Sequence, residues 1–490
     1  MSRVLKFAPK PLRRHERSRV RGVRPGLLRA VVKTPSGVLG SLVDVLTRGR
    51  MPSAALEMDV KVASGKSPPA SLLWWPPVLL LSVCWALAFS VLTACAASIN
   101  LTGAELSLNS NLATMPLALN SLSTGMYNFV LPAEFAKLGR WGAYLLGAVI
   151  GMVGCVCCLL GCELCSFELL CLGAVQVGVA LAHAQNFRFG VLLCVESAKA
   201  PVAISWVLAG GVAGAVLGPG FSMPAQSMLP TPYSGIFLVC CGCWLLLLLL
   251  LLGGAPLLQG LSLKPTTRTS DASLALPPRP LREVFAQPRC WACTFVASAS
   301  YGVMVFFMAA VPLQMRAAGF SFAQSSLTVQ LHMVMMFAPS FFTGHAIKRF
   351  GIAALQATGA VLLAGGGAVA WAGAHQAHFM VSQMVMGLGW NLCFVPATAG
   401  LSKQTRPSET ARVQSANDVC IFLTSGSCML LAGPALSSMG WASMQLVSYA
   451  TSAVILLAVL LSEGLEARRR LRHEQDQLQE PKGKEEKPIV

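Results

Sequence analysis

The stretches KLGR at 137–140 and KRFG at 348–351 are two short basic turns that set the architecture of this chain. The first turn follows the second long apolar run of the chain, and the second turn follows the eighth. The glycines of the two turns lie 212 positions apart. The same offset carries the first strongly apolar run, which begins near Val78, onto Cys290, where another such run begins. Because a fixed repeat spacing marks an internal duplication, the sequence predicts two copies of a six-span unit placed head to tail.

Composition places the chain in a membrane. Hydrophobic residues make up 54% of its 490 residues and charged residues only 12%, whereas a soluble domain carries about a quarter charged residues. A helix needs about 20 apolar residues to cross roughly 30 Å of hydrocarbon. The predicted fold is an all-α membrane protein with 12 transmembrane helices in two six-helix pseudo-repeats. The predicted spans are 78–100, 111–134, 142–162, 166–186, 200–222, 234–256, 290–314, 324–346, 352–372, 377–400, 412–435 and 442–463.

The placement of lysine and arginine supports this count, because cytoplasmic loops collect these residues and exported loops do not. With the amino terminus inside, 36 of the 37 fall in predicted cytoplasmic segments, and Arg316 is the exception. Both termini are therefore predicted to be cytoplasmic, or on the matrix or stromal side of an organelle. The net charge of +17 follows from this orientation, so the lipid bilayer is a predicted partner and nucleic acid is not.

The chain divides into five predicted segments. Its arginine-rich start is either an organellar transit peptide, which would place the protein in an organellar inner membrane, or a disordered tail that binds anionic lipid. The last helix is expected to extend through Arg470 before the charged end of the chain. The segments are an N-terminal tail at 1–71, a six-helix half at 72–258, a cytoplasmic linker at 259–289, a second six-helix half at 290–465 and a C-terminal tail at 466–490.

The 17 cysteines predict packing rather than a disulfide framework or a metal cluster, because every one lies in or beside an apolar span. No cofactor is predicted. An enzyme is not predicted either, because the sequence has no phosphate loop, no GxSxG or HExxH motif and no large soluble domain.

Span five carries Gly210, Gly214 and Gly218 at intervals of four, followed by Pro219. Three glycines on one helix face let another backbone approach closely. This face predicts either a gate that slides and bends or ordinary tight packing.

The basic turns are the second group of gating candidates. Glu134 lies at the predicted inner mouth beside Lys137, and the two are expected to form an ion pair. The other gating candidates in these turns are Arg140, Lys348 and Arg349.

The paired basic turns, the GxxxGxxxGP pattern of span five and the six-plus-six arrangement resemble the major facilitator superfamily over residues 72 to about 465. The resemblance implies a monomeric carrier that works by alternating access. Ala136 and Lys348 replace the usual acid of the loop motif, and span four lacks the arginine typical of proton-coupled members, which leaves proton coupling open. The stretches HMVMMFAPSFFTG at 332–344, GLGWNLCFVPAT at 387–398 and VQSANDV at 413–419 resemble a bacterial-type subgroup that includes riboflavin carriers and CcoA-like copper importers.

A methionine and histidine set favours copper as the substrate. Met304 and Met308 in span seven are four residues apart, as are His332 and Met336 in span eight, so each pair shares a helix face. Helical rise puts all four side chains between the outer half and the middle of the bilayer. Thioether and imidazole groups suit Cu(I), and CcoA-like importers resemble this chain in carrying MxxxM and HxxxM motifs in these spans.

An organic solute such as riboflavin or a drug-like compound is the alternative substrate. Polar side chains within spans are the candidate contacts, because polar groups in hydrocarbon usually face a cavity or a partner. Asp418 is expected either to carry a proton or cation or to brace the inner gate through Arg412 or Lys403. A receptor or scaffold with an inactive carrier fold is a further alternative. The predicted substrate-binding residues are Asn120, Gln330, Asn391 and Asp418.

Overall fold

The computed structural model describes residues 74–107, 109–195, 199–258, 278–406 and 409–479, and within these ranges every regular element is a helix. The predicted N-terminal tail, most of the linker and the last eleven residues lie outside the described residues.

Fourteen helices follow one another along the described chain, with short 3₁₀ turns at Ser110–Leu112 and Val191–Leu193. The last helix runs beyond Arg470, where the sequence predicted its end. The helices are α1 Trp75–Leu106, α2 Met115–Tyr127, α3 Leu131–Glu163, α4 Phe167–Gln185, α5 Phe187–Gly190, α6 Ala200–Ala225, α7 Ser234–Gly253, α8 Leu281–Phe285, α9 Pro288–Ala317, α10 Phe322–Phe337, α11 Ser340–Phe350, α12 Ile352–Ala372, α13 Gln376–Gln404 and α14 Thr410–Gln479.

Nine helices in the described ranges are long and apolar enough to cross a membrane. The difference from twelve has a structural reason. Predicted spans two and eight are each broken into two successive helices, α2 with the start of α3 and α10 with α11. Spans eleven and twelve run together in α14, where Gly440 interrupts the helix with φ 74° and ψ 165°.

The two basic turns have the same backbone conformation. Gly139 adopts φ 73° and ψ 165°, and Gly351 adopts φ 84° and ψ 169°. Side chains disfavour this left-handed region, so glycine is the residue suited to both turns. The shared geometry at an offset of 212 residues agrees with the internal repeat predicted from the sequence.

Helix packing repeats between the halves as well. In the N-terminal half, α1 packs on α6, α2 on α4, and α3 on α4 and α7. In the C-terminal half, α9 packs on α14, α10 on α13, and α12 on α13 and α14. Contacts between α2 and α14 and between α6 and α10 join the halves. Both copies of the repeat therefore contribute helices to the interface between the halves.

The glycine face of span five packs within one half. A side-chain atom at Gly214 would lie 2.8 Å from the carbonyl oxygen of Ala86 in α1. The Thr93 hydroxyl of α1 donates to the carbonyl oxygen of Gly214 at 2.9 Å. These contacts explain why the face is bare, while a gating role for Gly210, Gly214, Gly218 and Pro219 stays a prediction.

The C-terminal end of the linker is fixed to the protein by an ion pair between Arg279 and the fully buried Glu409 side chain. Arg279 also donates its backbone N–H to Glu409 Oε2 at 2.9 Å, and Arg406 donates its N–H to Oε1 at 3.0 Å. Burial alone raises the pKa of Glu409, but these hydrogen bonds outweigh it and lower the pKa from 4.5 to about 2. The carboxylate therefore stays charged and anchors the linker at neutral pH.

Candidate functional site

The halves meet through hydrogen bonds at the predicted extracellular end and near mid-height. Arg316, the one cation outside the predicted cytoplasmic segments, forms a 2.7 Å ion pair with Glu105 of the other half. This ion pair joins the two halves at the predicted outer end. The remaining bonds are Asn100 to the Ala309 carbonyl at 2.9 Å, Ser437 to Asn111 at 2.6 Å, Gly433 N–H to Thr114 at 3.2 Å, Gln330 to the Val216 carbonyl at 2.7 Å and Ser121 with Ser425 at 2.8 Å.

Seven aromatic side chains form a continuous series across the interface, here called the aromatic chain. Neighbouring ring centroids lie between 4.6 and 6.3 Å apart. The series crosses from one half to the other where Phe89 of α1 meets Phe337 of α10 edge to face, at 5.0 Å between centroids. Its members are Trp85, Phe89, Phe337, Trp390, Phe394, Tyr301 and Phe422.

The aromatic chain lies at mid-height. Phe89, Tyr301 and Trp390 each lie within two residues of the midpoint of α1, α9 and α13. Carriers of this layout bind substrate near the bilayer midplane, where the two repeats meet. Sequence reasoning missed this feature because it searched for polar residues. The available signal was Trp390 and Phe394, four residues apart and so on one helix face.

Trp390 adds a polar group to this apolar series. Its side chain is 4% exposed, and its indole N–H has no hydrogen-bond partner among the described residues. Leaving a buried donor unpaired costs about 1 to 3 kcal/mol, and a bound acceptor would recover it. The aromatic chain therefore offers flat apolar faces, and Trp390 adds a buried donor to them.

His332 is buried beside the aromatic chain. Its Nδ1 lies 2.7 Å from the carbonyl oxygen of Gln383, which can only accept, so Nδ1 carries the proton. Its Nε2 is then an acceptor, and it has no partner in the part of the chain that the structure describes. A histidine fixed in this tautomer presents a free lone pair to a donor or a metal ion.

The three methionines of the predicted metal set are also buried, each at most 5% exposed, in one apolar cluster. Met304 and Met308 follow Tyr301 by three and seven residues and so share its helix face. From the outer helix ends, Met308 and His332 lie about 14 and 15 Å deep, and Met304 and Met336 about 20 and 21 Å deep. No cluster of three His, Cys, Asp or Glu side chains suited to a metal occurs among the described residues.

The predicted substrate-binding amides contact protein groups. Asn120 donates to the Ala174 carbonyl at 3.1 Å. Asn391 donates to the Met336 carbonyl and to Ser340, both at 2.7 Å, and so bridges the break between α10 and α11. Gln330, which is partly exposed, bonds across the halves. Asn120 and Asn391 therefore serve helix packing in this conformation.

Asp418 is partly buried in α14, below the aromatic chain. It lies within electrostatic reach of Arg188, at the inner end of the other half, and of Tyr301. Arg412, one of its predicted partners, donates instead to the backbone carbonyl of Arg279. A role of Asp418 in substrate binding or in bracing the inner gate stays a prediction.

The partner predicted for Glu134 is wrong. Its carboxylate accepts from the Tyr127 hydroxyl at 2.8 Å and lies 3.0 Å from His183 Nε2, whereas Lys137 is exposed. His183 Nδ1 faces the Val179 carbonyl oxygen at 2.9 Å, which can only accept, so Nδ1 is the donor of this hydrogen bond. Two other candidates in the basic turns lie over aromatic rings. The guanidinium carbon of Arg140 is 4.9 Å from the Phe135 ring centroid, and that of Arg349 is 5.2 Å from the Phe350 centroid. Lys348 is exposed.

Comparison with known proteins agrees with this architecture. No family model matches the chain. The riboflavin transporter RfnT of Brucella anthropi is 33% identical over 364 residues, which cover 74% of this chain and 89% of that protein. The uncharacterized MFS-type transporter YddS of Bacillus subtilis is 25% identical over 72% of this chain and 81% of its own length.

Solved structures show the same fold at low identity. The nucleoside transporter NupG aligns with a TM-score of 0.57 and 12% identity, covering 79% of this chain and 98% of that one. A POT family transporter in complex with 5-aminolevulinic acid aligns with a TM-score of 0.59 and 14% identity, covering 78% and 94%.

Two repeated helical halves around a midplane interface define a multi-pass membrane transporter. The length and identity of the match to RfnT extend this from the class to the family. The chain belongs to the major facilitator superfamily.

Proposed function

We propose that this carrier moves a flat aromatic solute of the riboflavin class by alternating access. The aromatic chain at mid-height is the observation that carries the proposal. The relative named as a riboflavin transporter supports it, since that match covers most of both chains. Riboflavin therefore replaces copper as the preferred substrate.

A fused aromatic ring suits this position for a physical reason. Offset or edge-to-face ring pairs contribute about 0.5 to 1.5 kcal/mol beyond the area they bury. Phe89 and Phe337 belong to different halves, so rocking of the halves opens the space between them for a flat ring. The indole N–H of Trp390 then has an acceptor on the polar edge of the solute.

Rocking also requires contacts that break at each end. The hydrogen bonds of the outer end, such as Arg316 with Glu105, part when the site opens outward. Asp418 and Arg188 have opposite charges and come from different halves at the predicted inner side, so we expect their attraction to favour closure there. One ligand site is thereby exposed to one side at a time.

Copper, as a transported ion, is the second candidate. The free Nε2 of buried His332 favours it, because metal-binding histidines usually donate their other ring nitrogen to a carbonyl or carboxylate. Met304, Met308 and Met336 supply soft thioether groups at similar depth.

Proteoliposomes that contain the purified chain separate the two candidates. Riboflavin uptake is expected to be saturable and unchanged by Cu(I). His332→Asn keeps a donor to the Gln383 carbonyl but removes the free imidazole nitrogen, so it should leave riboflavin uptake within about threefold.

If copper is the cargo, Cu(I) uptake occurs without riboflavin uptake, and His332→Asn abolishes it. That pattern contradicts the riboflavin proposal. Failure to transport either substrate contradicts both.

A further inference from the structure

A cavity lies within the C-terminal half, at its predicted cytoplasmic end. Its volume is about 370 Å³, and it is bounded by the start of α9, the start of α12, the end of α13 and α14. It is distinct from the aromatic chain, because none of the seven aromatic residues lines it. We call it the inner cavity.

Hydrogen-bond donors converge on the inner cavity. Arg289 and Lys403 bring two cationic side chains. Residues 352–354, the first turn of the 21-residue helix α12, also line it. Gly351 precedes this turn and provides no side-chain cap, so free backbone N–H groups and the positive end of the helix dipole face the space.

An unpaired amide independently indicates a ligand. Gln356 lines the cavity with its side chain 4% exposed, and its Nε2 has no hydrogen-bond partner within the described ranges. The thiol of Cys293, its neighbour on the wall, is a weak acceptor at best. A bound acceptor with several oxygens would satisfy this donor together with the cations.

One acid also lines the inner cavity. Glu463 is 3.4 Å from Arg289, and its side chain is 47% exposed. An exposed ion pair at this distance contributes little and is easily exchanged. Two cations, one acid and a helix N-terminus leave the cavity positive overall.

The matching positions of the N-terminal half carry large aromatic side chains. The 212-residue offset pairs Ala353 with Trp141 and Gln356 with Tyr144. Trp141 donates to the Leu251 carbonyl at 3.2 Å, and the buried Tyr144 donates to the Asn186 carbonyl at 2.8 Å. Large side chains thus fill one half where small and polar ones leave a cavity in the other.

We propose that the inner cavity binds a phosphate group, carried either by a phospholipid headgroup or by free phosphate. Phosphate oxygens match cationic side chains, a helix N-terminus and an amide donor. Basic pockets between helices at the cytoplasmic side of a membrane are suited to anionic lipid headgroups. The apolar side chains of Ile347, Phe350 and Val459 on the same wall fit the start of an acyl chain.

Native mass spectrometry of the purified full chain tests the proposal. The probes are phosphatidylglycerol, diacylglycerol with the same acyl chains and inorganic phosphate. We expect one tightly held phosphatidylglycerol and no diacylglycerol. The double variant Arg289→Gln with Lys403→Gln should bind it at least tenfold more weakly, whereas Arg282→Gln, an exposed charge change outside the cavity, should not.

A filling variant gives a second test. Ala353→Trp copies the residue of the N-terminal half and should exclude the lipid while the protein stays folded, as judged by its melting temperature. Competition by inorganic phosphate at similar affinity identifies free phosphate as the ligand, and lack of competition identifies the headgroup. Wild-type binding in both variants, or equal binding of diacylglycerol, overturns the proposal.

Discussion

Near the start of its third span, the N-terminal half has the partly buried Trp141 and the buried Tyr144, whereas the C-terminal half has Ala353 and Gln356 at the same positions, where they line a cavity. The turns before them, at Gly139 and Gly351, have matching dihedral angles. The duplication therefore preserves the backbone path while side chains diverge, so each polar arrangement must be explained within its own half.

Two further position pairs show the same divergence. Asn120 and His332 lie 212 residues apart, and each donates to a backbone carbonyl of the facing helix, at 3.1 and 2.7 Å. The imidazole keeps a free nitrogen after making this bond. Glu134 corresponds to Ala346, so the buried carboxylate of the N-terminal half has an apolar counterpart.

Removing the Glu134 carboxylate is expected to have the largest effect, which is a loss of protein stability. Glu134→Ala leaves the Tyr127 hydroxyl and His183 Nε2 without their carboxylate partner, and breaking a buried pair costs about 3 to 5 kcal/mol. Thermal unfolding in detergent measures the loss. Glu105→Ala is the matched control, because its pair with Arg316 is partly exposed and is worth about 1 kcal/mol or less. Equal losses in the two variants would refute a special role for the buried pair.

The next largest effect is expected on substrate binding, from the aromatic residues of the C-terminal half. Trp390→Ala removes the ring that joins Phe337 to Tyr301. It should weaken substrate binding by about 2 kcal/mol, which is about 30-fold in the dissociation constant. Riboflavin uptake against concentration measures this change. Trp371→Ala, at a side chain 52% exposed on the outer face of its helix, should transport normally. An unchanged half-saturation concentration in Trp390→Ala counts against the site.

The linker anchor of the C-terminal half gives a third prediction, which concerns the pH dependence of stability. The pKa of Glu409 is lowered from 4.5 to about 2 in the folded protein. Its stabilisation is therefore complete above about pH 4.5 and is lost as the pH falls toward about 2. Glu409→Gln should lower the melting temperature at pH 7, and the difference from wild type should shrink between pH 5 and pH 3. A difference independent of pH would contradict this assignment.

Features set by local sequence were predictable. Apolar runs and segregated charges gave the spans, and Gly139 and Gly351 revealed the repeat, because hydropathy and positive φ values are properties of short segments. Features set by contacts between distant helices were not. Glu134 lies nearest Lys137 in sequence but pairs with His183, which is 49 residues away. The aromatic chain joins five helices, and no single span carries its signature.

Riboflavin fluorescence tests the central claim most directly, since stacking on an indole quenches the flavin. Titration of riboflavin with the purified wild-type protein should give saturable quenching, retained in Trp371→Ala and lost in Trp390→Ala. Absence of saturable quenching by the wild type, or quenching by Trp390→Ala as strong as that of the wild type, would contradict a flavin site at the aromatic chain.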